Sequence, residues 1–313
     1  MTDVLTFGEA MVSLRADQPI RTGGTLRMSV AGAEANVAIG LARLGHQVRW
    51  VGLTGADEFG ALVLRTLRAE GVRVEPERAE GPTGVIVFEP RISDLTRVSY
   101  YRAGSAGSRI GPQHLGAALA ESPRVMHATG VTAALGAAPL AAVSSAVARA
   151  AREGTTVAFD VNYRSKLWSR KAAAAALRPL MPSVDVLVAS DDELDLAAPP
   201  GTVSEAERVE ALLVSGVREV VVKRGADGAE VFDASGSTAR PAVPVTVKDT
   251  VGAGDAFVAG YLSGLLDGED IEGRLERAVT VSAFAVGSAG DWEGLPARDE
   301  LELLRVTPGS TLR

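Results

Sequence analysis

Apolar residues along this chain fall into two kinds of run. Short continuous runs at residues 4–7, 48–54, 72–74, 125–129, 156–161, 185–189 and 219–223 have the length and β-branched content of buried strands. Between them lie longer stretches with apolar residues at helical spacing. Val37, Leu41 and Leu44 form one such stripe, closed by Gly45, and residues 139–152 and 204–215 form two more. Asp57 stands where a cap would open a further helix that closes at Gly71. Strands and helices alternate, so the pattern predicts an α/β fold: a mostly parallel central sheet with helices on both faces.

Two places break the alternation. Residues 10–30 mix period-two patterning with the turn pair Gly23-Gly24, and residues 84–89 and 95–102 read as consecutive strands joined by a polar turn at 91–94. Together, residues 10–30 and 83–104 predict a small second sheet outside the main one. Residues 103–108 read as a flexible connector. Further on, residues 242–248 read as a strand leading into a helix that runs to about residue 266. Val258, Leu262 and Leu265 mark that helix's buried face, and a last helix covers about 271–287. No internal repeat or linker divides the chain, which predicts a single domain over residues 1–313.

Charge and composition narrow the chemistry. The net charge of −7 argues against general binding to nucleic acid or a membrane surface, so an anionic ligand has to be met by locally placed arginines and N–H groups. There are no cysteines, which excludes disulfides, thiolate metal sites and a cysteine nucleophile. The first residues carry an early acid and no basic region, unlike a signal peptide, and no run approaches a membrane span. This usage fits a cytoplasmic protein.

The densest candidate chemistry is Asp249-Thr250-Val251-Gly252-Ala253-Gly254-Asp255-Ala256-Phe257. Glycines at a helix start let successive N–H groups converge on an anion, and the helix dipole favours one there. A carboxylate at the same place, Asp255, has the position of a base that takes a proton from an alcohol while the N–H groups of Gly252, Ala253 and Gly254 stabilise a phosphoryl group in transfer. A plain glycine turn with a helix-terminal acid is the alternative. Gly8-Glu9 places an acid at the end of the first strand, where α/β ligands bind. Tyr100 and Arg102 share one face of a strand, and Arg164 offers a fork for a carboxylate.

The string Asp249 to Phe257 resembles the C-terminal signature of the ribokinase-like, or PfkB, carbohydrate kinases. Ala31-Gly32-Ala33-Glu34-Ala35-Asn36 resembles their N-terminal signature, with Ala33 at the common second glycine, and Gly55-x-Asp57-x-x-Gly60 is similar to a further family string. The resemblance runs from Gly8 to Pro296. It implies a ribokinase-like fold with a β lid over the sugar, ATP and Mg²⁺ as cofactors with a monovalent cation as a further candidate, and a homo-oligomer formed through the lid. It also implies an acceptor site at Gly32, Ala33, Asn36, Tyr100, Arg102, Arg164, Asp255 and Asp291. For the nucleotide it implies Asn162, Ser190, Lys223, Gly225, Gly228, Gly252 and Gly254, with Glu193 acting on the metal through water. Ser190 departs from the family's usual Asn. Asp160-x-Asn162-x-Arg164-x-x-Leu167-Trp168 is similar to the fructokinases and 2-keto-3-deoxygluconate kinases of the family. Glu9, Tyr100, Arg102, Arg164 and Gly290-Asp291-Trp292 together look like the latter, whose acceptor carries a carboxylate. Fructokinase and a catalytically silent sugar-acid sensor are the rival expectations.

Overall fold

The structure is a computed structural model that describes residues 2–75, 77–92 and 95–305. The strands among these residues are β1 Val4–Phe7, β2 Met11–Ala16, β3 Leu26–Ala31, β4 Val48–Val51, β5 Leu53–Thr54, β6 Arg73–Val74, β7 Glu77–Arg78, β8 Val85–Ile92, β9 Leu95–Tyr101, β10 Val125–Thr129, β11 Thr156–Asp160, β12 Val186–Ser190, β13 Glu219–Lys223, β14 Ala229–Asp233 and β15 Gly236–Arg240. The main sheet has the order β15-β14-β13-β12-β11-β10-β1-β4-β6. Its pairs are parallel except for the β13/β14 and β14/β15 ladders. Strand order reverses between β1 and β10, and a crevice therefore opens beyond their carboxyl ends.

Both faces of this sheet are covered. Leu5, Phe7, Met126, Phe159, Leu187 and Val222 bury one face, and Val4, Val48, Trp50, Val188 and Val221 the other. The second face packs on the helices Ala33–Arg43 and Ala253–Asp267. The latter helix touches the helix Ile271–Val286 so closely at Gly260 that an added Cβ would lie 2.7 Å from the Ala278 Cα. Strands β2, β3, β8 and β9 form the second sheet, ordered β3-β2-β8-β9, as the two breaks in the alternation predict. Met11, Ala31, Ile86 and Phe88 form its own small core against Val251. Among the described residues no helix is long and apolar enough to cross a membrane.

Four expectations need correction. Residues 48–54 are two strands, because the chain breaks at Gly52; a Cβ there would lie 2.1 Å from the Trp50 ring and 2.5 Å from the Gly8 carbonyl oxygen. Residues 242–248 form no ladder. Their apolar alternation imitates a strand, but Pro241 and Pro244 lack the N–H a ladder needs. Residues 103–108 are not a loose connector, since Ser105, Ala106 and Gly107 are buried and a short 3-10 turn follows at Gly107–Arg109. β8 runs on to Ile92, past the start of the expected turn; positions 93 and 94 lie outside the described residues.

Candidate active site

Beyond the carboxyl ends of β1, β10, β11 and β13, and beneath the small sheet, lies a cavity of about 780 Å³. Gly32, Ala33, Asn36, Tyr100, Arg102, Asn162, Arg164, Ser190, Glu193, Lys223, Gly225, Gly252, Gly254, Asp255 and Asp291 line it. A second cavity of about 530 Å³ adjoins it, walled by Val243, Val245, Val247, Phe257, Val279 and Val286, with Ala253 and Gly228 at its edge. The residues expected to bind acceptor and nucleotide therefore line two adjoining cavities, whereas Glu9 and Asp57 line neither.

The helix Ala253–Asp267 places the reactive groups. Its cap, Gly252, has φ 77°, and a Cβ at that position would lie 2.0 Å from the Asp291 carbonyl oxygen, so only glycine fits. First-turn N–H groups have no helical acceptor. That of Ala253 leans on the Thr250 carbonyl at 3.3 Å, whereas that of Gly254 takes no backbone partner among the described residues. Asp255 follows in the same turn and is only 6% exposed. One of its oxygens accepts from Asn36 Nδ2 at 2.8 Å and the other from Asn162 Nδ2 at 3.2 Å. Burial raises the Asp255 carboxyl above its ordinary range; the Asn36 hydrogen bond and the charge of Arg164 work against that, and nearby Asp160 adds to it. Asn162, expected at the nucleotide, thus has its amide on the candidate base. It holds φ 38°, a left-handed conformation that asparagine tolerates better than most residues.

The two arginines differ. Arg102 is committed within the molecule: its Nε donates to Glu9 at 2.8 Å, a second nitrogen pairs with the same carboxylate, and Ser105 Oγ also donates to Glu9. Its guanidinium lies 5.7 Å from the Tyr100 ring centre. Arg164 is exposed, and among the described residues its guanidinium has no hydrogen-bond or ion-pair partner. Next to it, Lys166 Nζ donates to the Val98 carbonyl at 2.7 Å, tying this loop to β9.

Asp291 is buried, and Arg15 on β2 donates to it at 3.0 Å and to Asp249 at 2.6 Å. Burial pushes the Asp291 carboxyl up to about 6, although Arg15 pulls the other way. Arg15 also lies 4.1 Å from the Phe88 ring centre. Sequence reading missed Arg15. The available signal was a charge on the strand face that begins with buried Ser13, which period two brings to the same side. It also missed Asp160, which takes Lys223 Nζ on both oxygens at 3.0 and 3.1 Å. Glu34 lies within the N-terminal signature but away from the cavity. Thr129 and Thr132 donate to one of its oxygens at 2.6 and 2.5 Å, and burial pushes its carboxyl up to about 7.

Glu193 accepts from the Tyr163 N–H at 2.6 Å and the Ser190 N–H at 2.9 Å, so it pins two site loops together. Among the described residues no cluster of three or more acids or histidines forms a metal cage. A divalent ion that arrives with nucleotide phosphates needs no such cage.

The chain is similar to known proteins along nearly its whole length. Residues 1–298 match the family model described as pfkB family carbohydrate kinase. The chain is 38% identical to a 2-dehydro-3-deoxygluconokinase of Thermoproteus tenax, covering 98% of this chain and 95% of that protein. It is 33% identical to a 2-dehydro-3-deoxygalactonokinase of Haloferax volcanii, over 92% of each. Among solved structures, 2-dehydro-3-deoxygluconokinase of Thermotoga maritima superposes with TM-score 0.83 at 27% identity, covering 97% of this chain and 98% of that one.

Proposed function

The chain belongs to the pfkB family of carbohydrate kinases, and we propose that its acceptor is 2-keto-3-deoxygluconate (2-dehydro-3-deoxygluconate), phosphorylated by ATP on the 6-hydroxyl. The observation that carries this reading is Arg164: an unpaired guanidinium at the rim of the cavity that holds the buried base Asp255. A neutral sugar leaves that fork without a partner, and a carboxylate fills it with two parallel bonds. Asn36 supports the same reading, since among the described residues its buried side-chain oxygen has no partner and can accept from an acceptor hydroxyl.

Asp255 takes the proton of the 6-hydroxyl, held by Asn36 and Asn162 so that both its oxygens stay oriented. The turn at Gly252, Ala253 and Gly254 faces the charge that grows on the phosphoryl oxygens. Mg²⁺, when bound, would neutralise phosphate charge, and Glu193 would meet its water shell. Lys223, Gly225 and Gly228 border the nucleotide side, and Ser190 stands at the junction of the loops pinned by Glu193. Exposed Leu26, Met28, Ile92, Leu95 and Tyr101 on the small sheet support self-association through the lid.

The test is steady-state turnover with ATP and Mg²⁺ on the keto-acid, fructose and ribose. The keto-acid is expected to lead in kcat/KM by about tenfold or more. Arg164→Ala is expected to raise KM for the keto-acid about a hundredfold and leave KM for ATP within about threefold. Faster turnover of fructose sinks the carboxylate reading and favours a fructokinase, an outcome to which the internal pairing of Arg102 with Glu9 lends weight. Ligand binding without turnover of any sugar turns the reading to a silent sensor.

A further inference from the structure

The two cavities share part of one wall. Among the described residues, Lys223, Gly225, Thr250 and Gly254 line both, and Lys223 is the charged one. Its ammonium lies 3.6 Å from where a side chain at Gly254 would begin, beside the open first turn of the helix Ala253–Asp267. From the end of β13 the side chain crosses over β12 to Asp160 at the end of β11, where it meets both carboxylate oxygens at 3.0 and 3.1 Å. Asp160 is buried, so its charge needs this partner. An ammonium has three donors, and its pairing with a single carboxylate leaves donor capacity on the side of the cavities. Arg224, the neighbouring cation, is spent on Glu205 and Glu230.

We propose that Lys223 is a catalytic residue whose ammonium, aimed by Asp160, contacts the phosphoryl group as it passes from one cavity to the other. Asp160 is then a positioning residue. The inference rests on the reading of the cavities as nucleotide and acceptor sites. In the step, the acceptor oxygen forms a bond to the γ-phosphorus and the bond from that phosphorus to the β–γ bridging oxygen breaks. The electron pair leaves with ADP, and the hydroxyl proton goes to Asp255. Negative charge grows on oxygens between the cavities, where Lys223 and the Gly254 N–H converge. Burial alone would lower the ammonium's proton affinity; Asp160, Glu193 and Asp255 more than offset it, so Lys223 keeps its proton and acts through charge.

The bland rival is a buried salt bridge that only supports the fold. Lys223→Met, Asp160→Asn and the double variant separate the two, because the double variant removes both charges and leaves neither buried alone. The rate is read with whichever sugar the wild type phosphorylates fastest. Binding of ADP with and without aluminium fluoride, a mimic of the phosphoryl group in flight, is read by calorimetry. Lys223→Met and the double variant are expected to lose kcat by roughly 10²–10³-fold, with acceptor KM within about threefold, and to lose the tightening of ADP by aluminium fluoride. Asp160→Asn alone is expected to lose about tenfold in kcat. A double variant within about threefold of wild-type kcat, or one that keeps the aluminium fluoride effect, overturns the proposal, as does a wild type that shows no such effect. If the fastest sugar proves neutral, the keto-acid reading fails while the Lys223 result stands.

Discussion

The two cavities are made by different means. The wide one is a set of polar side chains brought together from distant parts of the chain: Asn36 on Asp255 and Arg15 on Asp291 join positions 219 and 276 residues apart. The narrow one is walled mainly by valines and Phe257, much of it from one unladdered stretch, residues 243–247, laid against the helices Ala253–Asp267 and Ile271–Val286. In the first, each buried polar group needs a partner, so a ligand lacking the matching group leaves a donor or charge unsatisfied. In the second, selection comes from shape and apolar contact, which tolerate small changes at small cost. On the proposed assignment of the cavities, acceptor choice would be concentrated in a few side chains and nucleotide affinity spread over many.

The sharpest way to break this contrast is Asp255→Asn. It is expected to lower kcat by about 10³–10⁴-fold while ADP binding by calorimetry stays near wild type. An equal loss of ADP affinity would make Asp255 a support for both cavities. Next in size is Arg15→Met, which leaves Asp249 and Asp291 without their cation. Stability in a urea titration is expected to fall by about 2 kcal/mol, and acceptor KM to rise with kcat/KM for ATP little changed. A third effect is on pH. As the proposed base Asp255 would work ionised, and burial raises its carboxyl, so kcat is expected to fall as pH drops through a point above the ordinary aspartate range. Asn36→Ala removes a donor that favours the ionised form and is expected to move that acid limb to higher pH. A limb that stays put would detach Asn36 from the base. The smallest effect belongs to the apolar cavity: Val279→Ala is expected to raise KM for ATP only about two- to threefold and leave acceptor KM unchanged.

Strands such as Val125–Thr129 and Glu219–Lys223 were legible to the residue, because a buried parallel strand is a continuous apolar run. The Ala242–Lys248 stretch was misleading for a related reason. It is apolar because it walls a cavity, and the same residues suit a ladder in every respect except the prolines. The site residues were legible where they sit in a local string, as at Gly252 to Asp255 or Asn162 to Arg164. What stayed hidden was which of them the protein keeps for itself. Arg102 and Arg164 read alike, and only the fold brings Glu9 and Ser105 to the first and leaves the second open. Arg15 and Asp160 carry only slight local marks, a charge on a strand face and the first position of a string, since their importance comes from partners across the chain.

The small sheet leaves the main body in two excursions, β2 with β3 and β8 with β9, whose ends return to the crevice side of the large sheet. On the proposed reading, such an arrangement would make the small sheet an exchangeable cassette for protein engineering: transplanting it between members of the fold would change the roof over the larger cavity and leave Asp255 and its helix in place. Arg15 sets the compatibility rule for that exchange. A donor lid without a cation at this position would strand Asp249 and Asp291, so a working chimera has to carry the arginine with the cassette or neutralise both acids in the recipient.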